Sequence, residues 1–235
     1  SEQDAVKLFV LTAEGITYQS DYPAGSLMKT VLKGENWTSG TDGTVETYTD
    51  NEGRTVLERR IHTDTKGTEH LDTYYVYDDL NRLRYVLPPQ AEEIFRQAGE
   101  TRSESDKGIA DYAYVYRYDG NGNCISKKMP GSEEVEMVYD KARRRVLSRD
   151  GKCRKEGKWM FWLYEETGRQ AVQGICTNPD VEAMKNDTVM TRRTHRGTLA
   201  GYEAPGALGQ DIQLLKADYY DNYAFLDDEE LLPED

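Results

Sequence analysis

Cysteine and histidine are both scarce in this 235-residue chain, which has three of each. Cys124, Cys153 and Cys176 are odd in number and widely spaced, so neither a disulfide framework nor a C-x-x-C zinc site is expected. The histidines are equally scattered, and none stands in an H-E-x-x-H pattern. We therefore expect no metal site and no cofactor.

Basic residues and long apolar runs are the next deficits. Thirty Lys and Arg against 43 Asp and Glu give a net charge of −13, which argues against a nucleic-acid partner held by overall charge. The chain has no run of about 18 apolar residues, so no transmembrane segment is expected. It starts at Ser1 without a basic and then apolar leader, which indicates a mature product or an excised piece.

Apolar residues are also few. The hydrophobic fraction is 37% even with 17 tyrosines counted in it, and the mean hydropathy is −0.82. A thick, multilayered globule needs more core residues than this. Because aromatic residues make up 10% of the chain, the composition is still not that of a disordered protein. We expect a thin or open architecture.

The most informative feature that the sequence does have is a short repeat. It consists of a tyrosine or threonine, an acid, a two-residue spacer, a small residue in most copies, and a basic or polar residue. Five imperfect copies occur: Thr49–Arg54, Tyr77–Arg82, Tyr118–Asn123, Tyr139–Arg144 and Tyr164–Arg169. Their acids are separated by 28, 41, 21 and 25 residues, which indicates a base period near 21 with an insertion in the longest interval.

Each copy is predicted to form the turn of a β-hairpin. The acid accepts a hydrogen bond from the backbone two residues on, and the third residue after it supplies a positive φ. Glycine or asparagine adopts this conformation readily, whereas Arg143 does so reluctantly. The residues that we expect to anchor the repeats are Asp50, Gly53, Arg54, Tyr77, Asp78, Asn81, Arg82, Tyr118, Asp119, Gly122, Tyr139, Asp140, Tyr164, Gly168 and Arg169.

The runs that flank the turns alternate between apolar and polar residues, as in strands. In the run from Tyr112 to Tyr118 a tyrosine falls on every second residue, which predicts four rings on one face of a sheet with wet hydroxyls. The predicted fold class is therefore all-β: an antiparallel β-hairpin repeat array with one short helix, forming a curved open sheet or a partial β-shell or spiral.

The tyrosine-aspartate repeats resemble the Rhs/YD-repeat family, most clearly over residues 77–89 (YDDLNRLRYVLPP). The Leu-Pro-Pro continuation is similar to the form found in Bacteroidetes. Residues 22–27, 139–140, 159–169 and 219–223 resemble the same proteins, so the likeness covers roughly residues 15–226.

The resemblance implies a particular architecture and role. In this family the repeats wind into a long antiparallel β-spiral that closes as a hollow shell, often around a toxic C-terminal domain. Two departures stand out: the chain lacks the Asp-Pro-x-Gly-Leu stretch at which the core ends, and nothing after Tyr223 is long enough for a toxin domain. The resemblance therefore implies a wall segment without its cargo.

The expected domain organisation is a single YD-repeat β domain over residues 1–226 and an acidic tail over residues 227–235. A helical insertion is expected at about residues 89–99, since Pro88 and Pro89 precede good helix formers and Gly99 can end a helix. Its apolar stripe is expected to lie on the sheet. The stretch from Thr191 to Gly209 is basic and then glycine-rich, and we expect a long, mobile connection there.

Two surfaces are candidates for ligand binding. Residues 141–158 carry nine Lys or Arg against two acids, which is either a binding site for an acidic partner or a solvated hairpin face. Trp37, Trp159 and Trp162 are candidates for stacking on sugar rings. Because Trp159 and Trp162 are three positions apart, they should point to opposite faces of a strand, and at least one is expected in the core.

These observations predict a scaffold rather than an enzyme. No P-loop, G-x-S-x-G or helix-opening G-x-G-x-x-G pattern is present. We expect a structural segment of a secreted or cell-surface Rhs/YD-repeat protein, with the rest of its repeat chain or a C-terminal effector domain as partner. The alternative is a carbohydrate- or cell-envelope-binding module with glycan ligands. An excised spiral would also leave unpaired edge strands, so dimerisation through an edge is expected as an artefact of the excision.

Overall fold

The structure is a computed structural model that describes residues 5–35, 37–65, 67–194 and 196–220. The chain divides into two compact units, Ser1–Arg117 with Lys127–Ser132, and Tyr118–Ser126 with Glu133–Asp235. The expected single domain over residues 1–226 stays a prediction. The acidic tail over residues 227–235 lies outside the described residues.

Strands dominate the regular structure. They are β1 (Lys7–Thr12), β2 (Gly15–Asp21), β3 (Met28–Leu32), β4 (Val45–Thr49), β5 (Thr55–Asp64), β6 (Gly67–Tyr77), β7 (Leu83–Leu87), β8 (Thr101–Arg102), β9 (Tyr114–Tyr118), β10 (Cys124–Lys128), β11 (Val135–Tyr139), β12 (Arg145–Arg149), β13 (Lys158–Tyr164), β14 (Gln170–Thr177) and β15 (Gln210–Ala217). The short helices are α1 (Pro89–Glu92), α2 (Lys107–Tyr112), α3 (Gly151–Lys155) and α4 (Val181–Asn186).

Twelve of these strands form one antiparallel sheet in the order β3-β4-β5-β6-β7-β9-β10-β11-β12-β13-β14-β15. Within this sheet the strands follow one another in chain order, except that β9 comes directly after β7. Strand β8 pairs instead with β2, which also pairs with β1, in a separate three-stranded sheet. The large sheet has an edge at β3 and another at β15, so within the described residues it is open. The predicted all-β, antiparallel hairpin fold is confirmed.

The four repeat hairpins whose strand register is defined share one irregularity. The register shifts by one residue immediately before the turn, between Tyr48 and Thr49, Val76 and Tyr77, Val138 and Tyr139, and Leu163 and Tyr164. A β-bulge bends its strand and increases the local twist. These hairpins therefore bend at one equivalent position, as expected of structural repeats.

Aromatic side chains fill much of the core of the first unit. The ring of Phe9 lies 5.0–5.9 Å from those of Tyr18, Tyr74 and Phe95, with interplanar angles of 46–75°. Such tilted and edge-on pairs are the favoured arrangement for buried rings. Tyr74 and Phe95 are almost completely buried, so strands β1, β2 and β6 and the segment after α1 share one core.

The core of the second unit lies under strands β12 to β14. Phe161, Leu163 and Val172 are fully buried there, together with Met184 from α4. Residues 191–209 also pack on this core, because Tyr202 and Leu208 are fully buried and the backbones of Leu199 and Tyr202 exchange hydrogen bonds. The expectation of a mobile connection was wrong: apolar anchors within the glycine-rich stretch fasten it to the sheet.

Two further expectations about local structure need correction. The helix expected over residues 89–99 is a single turn, α1, after which Phe95 packs against Phe9 and the Gly99 amide donates to the Tyr18 carbonyl. Tyr112 ends α2 and is exposed, so it takes no part in the tyrosine series of β9. After α1, the contacts of Phe95 with β1 and of Gly99 with β2 thus outweigh the helix propensity of the sequence.

Candidate functional site

The acid of each repeat turn organises the loop that follows it. In the first turn one carboxylate oxygen of Asp50 accepts hydrogen bonds from the backbone amides of Glu52 and Arg54, at 2.9 and 3.0 Å. The other oxygen accepts from the Arg54 side chain at 2.8 Å. The same arrangement surrounds Asp78 and Asp119, with Arg82 and Asn123 closing those turns. These acids stabilise their own hairpins.

The third residue after each acid has a positive φ. The angles are 79° at Gly53, 58° at Asn81, 84° at Gly122, 59° at Arg143 and 84° at Gly168. In each turn the amide of this residue donates to the carbonyl of the acid, at 2.8–3.1 Å. A turn closed by this hydrogen bond and ending in a left-handed residue fits the hairpin turn that the repeat predicts. Arg143 therefore occupies a conformation that is unfavourable for a bulky side chain.

Successive hairpins are joined by a contact that recurs within both units, and we call it the Arg–Tyr contact. The arginine that closes one turn lies over the ring of a tyrosine that precedes a later acid in the sequence. The hydroxyl of that tyrosine donates to the carbonyl of the residue that follows the arginine. Each contact therefore joins a hairpin to a later segment of the chain through both a ring and a backbone group.

Both units contain clear examples of the Arg–Tyr contact. They are Arg54 over Tyr77 at 5.3 Å with a hydrogen bond to Thr55 of 3.0 Å, Arg144 over Tyr164 at 4.8 Å with a bond to Arg145 of 2.9 Å, and Arg169 over Tyr220 at 4.2 Å with a bond to Gln170 of 2.5 Å. Arg144 and Tyr220 were not among the expected anchors. The sequence signal for Tyr220 is the Asp221 that follows it.

The third turn departs from this pattern. Its closing residue is Asn123, which has no guanidinium to place over a ring. The hydroxyl of Tyr139 lies 3.9 Å from the sulfur of Met137 on its own strand, instead of bonding to a neighbouring backbone carbonyl. Tyr139 thus stands at the repeat position without an Arg–Tyr contact.

The fourth turn is covered by a distant part of the chain. The carboxylate of Asp140 is fully buried and accepts from Arg144 at 2.7 Å and from the amide of Val189 at 3.2 Å. Arg144 also donates to the Val189 carbonyl at 3.0 Å, and the Lys141 amide donates to the Asp187 carbonyl. Residues 187–189 therefore complete this turn, a role that no local pattern in the sequence indicates.

The fifth turn uses glutamate where the others use aspartate. One oxygen of Glu165 accepts from Arg169 at 2.9 Å, and the other accepts from the buried hydroxyl of Tyr202 at 3.2 Å. The single proton of that hydroxyl is shared with the Asp218 carbonyl, which lies 2.7 Å away. Glu165 thus bonds both to its own turn and to the packed segment after α4.

The pKa values of three repeat acids are lowered, whereas the pKa values of two repeat tyrosines are raised. Burial opposes ionisation of Asp50, Asp78 and Asp119, but hydrogen bonds from their own turns outweigh it and hold the pKa of each carboxyl below its usual value. Burial raises the pKa of Tyr77 and of Tyr164, against the nearby arginines. The turn aspartates are thus held in the charged form.

The three tryptophans do not form an open stacking surface. Trp159 and Trp162 are 8% and 7% exposed, and the guanidinium groups of Arg149 and Arg145 lie 4.2 and 4.0 Å from their ring centroids. Trp159 belongs to the core of the second unit. Trp37 is half-buried, and the ammonium of Lys33 lies 3.6 Å from its ring centroid. Each ring therefore has a basic group where a sugar would stack.

Five of the nine basic residues in the strip over residues 141–158 are paired with acids. Arg149 and Arg154 both bond to Glu136, and Lys155 pairs with Glu133. Arg144 and Lys158 pair with Asp140 and Glu156. This arrangement favours the interpretation of the strip as an ordinary hairpin and helix face.

The part of the chain that the structure describes contains neither a cluster of metal ligands nor a membrane-spanning helix. No group of three or more His, Cys, Asp or Glu in that part of the chain is arranged to hold a metal ion. Its helices are all too short or too polar to cross a membrane.

Comparison with known proteins gives distant similarities. No family model matches the chain. Salivary gland surface protein 1 of Aedes aegypti is 24% identical over 137 residues, which cover 56% of this chain and 4% of that protein. The crystal structure of TcdB2-TccC3 is similar with a TM-score of 0.44 at 18% identity, over 57% of this chain and 6% of that one.

A second solved structure, the Tc holotoxin pore of Photorhabdus luminescens, is similar over more of the chain. The TM-score is 0.47 at 16% identity, over 80% of this chain and 9% of that one. This chain therefore spans less than a tenth of the length of each of these proteins.

Proposed function

We propose that the chain is a structural segment of a secreted or cell-surface Rhs/YD-repeat protein, part of a β-shell that encloses or presents a C-terminal effector domain. The observation that carries the proposal is the Arg–Tyr contact. In each case a tyrosine ring and a backbone carbonyl at equivalent repeat positions take part. A contact repeated along a sheet favours a wall, whereas catalytic groups converge in one cleft.

On this proposal the chain is not an enzyme. The turn carboxylates are engaged by hydrogen bonds from their own loops, so they serve to hold hairpins rather than to exchange protons with a substrate. The partners are the rest of the repeat chain and the effector. The Bacteroidetes form, suggested by Leu87-Pro88-Pro89, belongs to the same proposal.

Limited proteolysis of the product of the full reading frame tests the enclosing role. The region encoded after Asp235 should resist a protease concentration that digests the same region expressed alone. Replacing both Tyr77 and Tyr164 by leucine removes two Arg–Tyr contacts and should increase the rate of cleavage. Tyr112→Leu is the matched control, since Tyr112 is exposed and lies outside the repeat turns.

Several outcomes would contradict the scaffold role. One is a reading frame that encodes no region after Asp235, and another is a following region cleaved equally fast with and without this chain. A glycan-array signal that is lost in Trp37→Ala would instead favour the carbohydrate-binding alternative.

A further inference from the structure

The edge strand β3 is unusually exposed for a strand in a large sheet. All five residues of Met28–Leu32 are exposed, and Met28, Val31 and Leu32 have 65%, 44% and 68% of their surface accessible. Strand β4 pairs with one side of β3, and within the described residues no strand pairs with the other. The free side therefore presents unpaired backbone groups next to apolar side chains.

This edge lacks the features that usually prevent pairing with another chain. Proline, bulges and outward charges are the common protections. The register of β3 with β4 runs without a shift from Met28 to Leu32, and the strand contains no proline. Its single charged residue, Lys29, is bound to Glu46 on β4 at 2.6 Å. Because β3 is regular and its lysine is already paired with Glu46, the free side of β3 can pair with another strand.

The opposite edge, β15, is protected. Its register with β14 shifts twice, and Asp211 at its start has a positive φ of 47°. Leu214 and Leu215 are exposed there, 37% and 49%, so apolar exposure is common to both edges. Strand β3 differs from β15 in its regular register with the neighbouring strand.

We propose that β3 is a self-association surface whose partner is the β3 strand of a second copy of this chain. Antiparallel pairing centred on Thr30 sets Met28 of each copy opposite Leu32 of the other. Residues 28, 30 and 32 alternate onto one face of the strand, so the two Met–Leu pairs flank a central Thr–Thr pair. The five-residue strand is thus complementary to itself, the condition for a two-fold interface. The inference stands apart from the proposed function.

Sedimentation equilibrium of the 235-residue chain, from about 1 µM to about 1 mM, measures the association. One short strand makes a small interface, so the dimer should be weak. Met28→Glu and Leu32→Lys, made separately, should each weaken self-association about three- to tenfold, because each places a charge opposite an apolar residue twice. Mixing the two variants should restore association, since the glutamate then faces the lysine once and the native pair remains once.

The control is Leu214→Lys on β15, which adds the same charge to an exposed apolar position of the protected edge. It should leave self-association unchanged, and thermal melting should show that all three variants fold. The proposal is overturned by a chain that is monomeric at every concentration, by a mixture that associates no better than either variant alone, or by an equal effect of Leu214→Lys.

Discussion

The two glycines of the third repeat turn differ in backbone conformation, and this difference allows a clean test at the residue scale. Gly122 has a φ of 84°, whereas Gly120 is outside the positive-φ region, and neither position has an atom within 4 Å of an added Cβ. Gly122→Ala should lower the free energy of unfolding by about 1–2 kcal/mol through left-handed strain alone. Gly120→Ala should raise it by about 0.4–1 kcal/mol, since alanine restricts the unfolded chain.

Urea unfolding of the two variants should therefore show changes of opposite sign in the free energy of unfolding. Equal effects of the two substitutions would contradict the turn assignment, because the only relevant difference between the sites is the sign of φ.

In the fourth turn the residue with the unfavourable positive φ is an arginine, Arg143, which glycine could replace. Arg143 has a φ of 59° and forms no ion pair within the described part of the chain. Arg143→Gly should raise the free energy of unfolding by about 0.5–1 kcal/mol, since relief of roughly 1–2 kcal/mol exceeds the entropic cost of glycine, roughly 0.5–1 kcal/mol. Ala142→Gly, at a neighbouring position without positive φ, should lower it by that entropic cost. Destabilisation by Arg143→Gly, measured by chemical unfolding, would refute this account.

At the scale of the hairpin, the Arg–Tyr contact predicts that tyrosines at equivalent repeat positions differ in importance. Tyr77→Phe removes the hydrogen bond to the Thr55 carbonyl and should lower the free energy of unfolding by about 0.5–1.5 kcal/mol. Tyr139→Phe removes a hydroxyl whose contact is a distant sulfur, and the change should stay within about 0.5 kcal/mol. Urea titration of both variants makes the comparison. A larger effect at Tyr139 would show that the contact does not join the hairpins.

The hairpins could be predicted from sequence because their determinants are local. Asp50 and Gly53, for example, are three residues apart, and one pattern sets both the side-chain hydrogen bond and the positive φ. Burial of Asp140 by Val189 could not be predicted, because the two residues are 49 positions apart and Val189 belongs to no repeat copy. The buried ion pair of Arg59 and Asp72 could not be predicted either, because nothing in the sequence distinguishes these two residues from ordinary surface charges.

For the whole molecule, the low apolar content is balanced by tyrosines that enter the core. Tyr18, Tyr48, Tyr74, Tyr85 and Tyr202 are all at most 8% exposed. Each hydroxyl has a hydrogen-bond partner, which removes the usual cost of burying a polar group. The chain builds its two cores with rings whose polar ends are satisfied inside the protein.

Acid stability of the whole molecule should follow from the turn aspartates. The pKa values of Asp50, Asp78 and Asp119 are lower in the folded chain than in the unfolded chain, because turn hydrogen bonds outweigh burial. Their stabilising contribution is therefore complete above the unfolded pKa, about 3.9, and is lost as the pH falls through the folded-state values. The free energy of unfolding in urea should drop below about pH 4. Replacing all three residues by asparagine should lower stability at neutral pH and make this drop shallower, because the protons that destabilise the fold then have three fewer sites. An equally steep drop in the triple variant would mean that other carboxyl groups control acid unfolding.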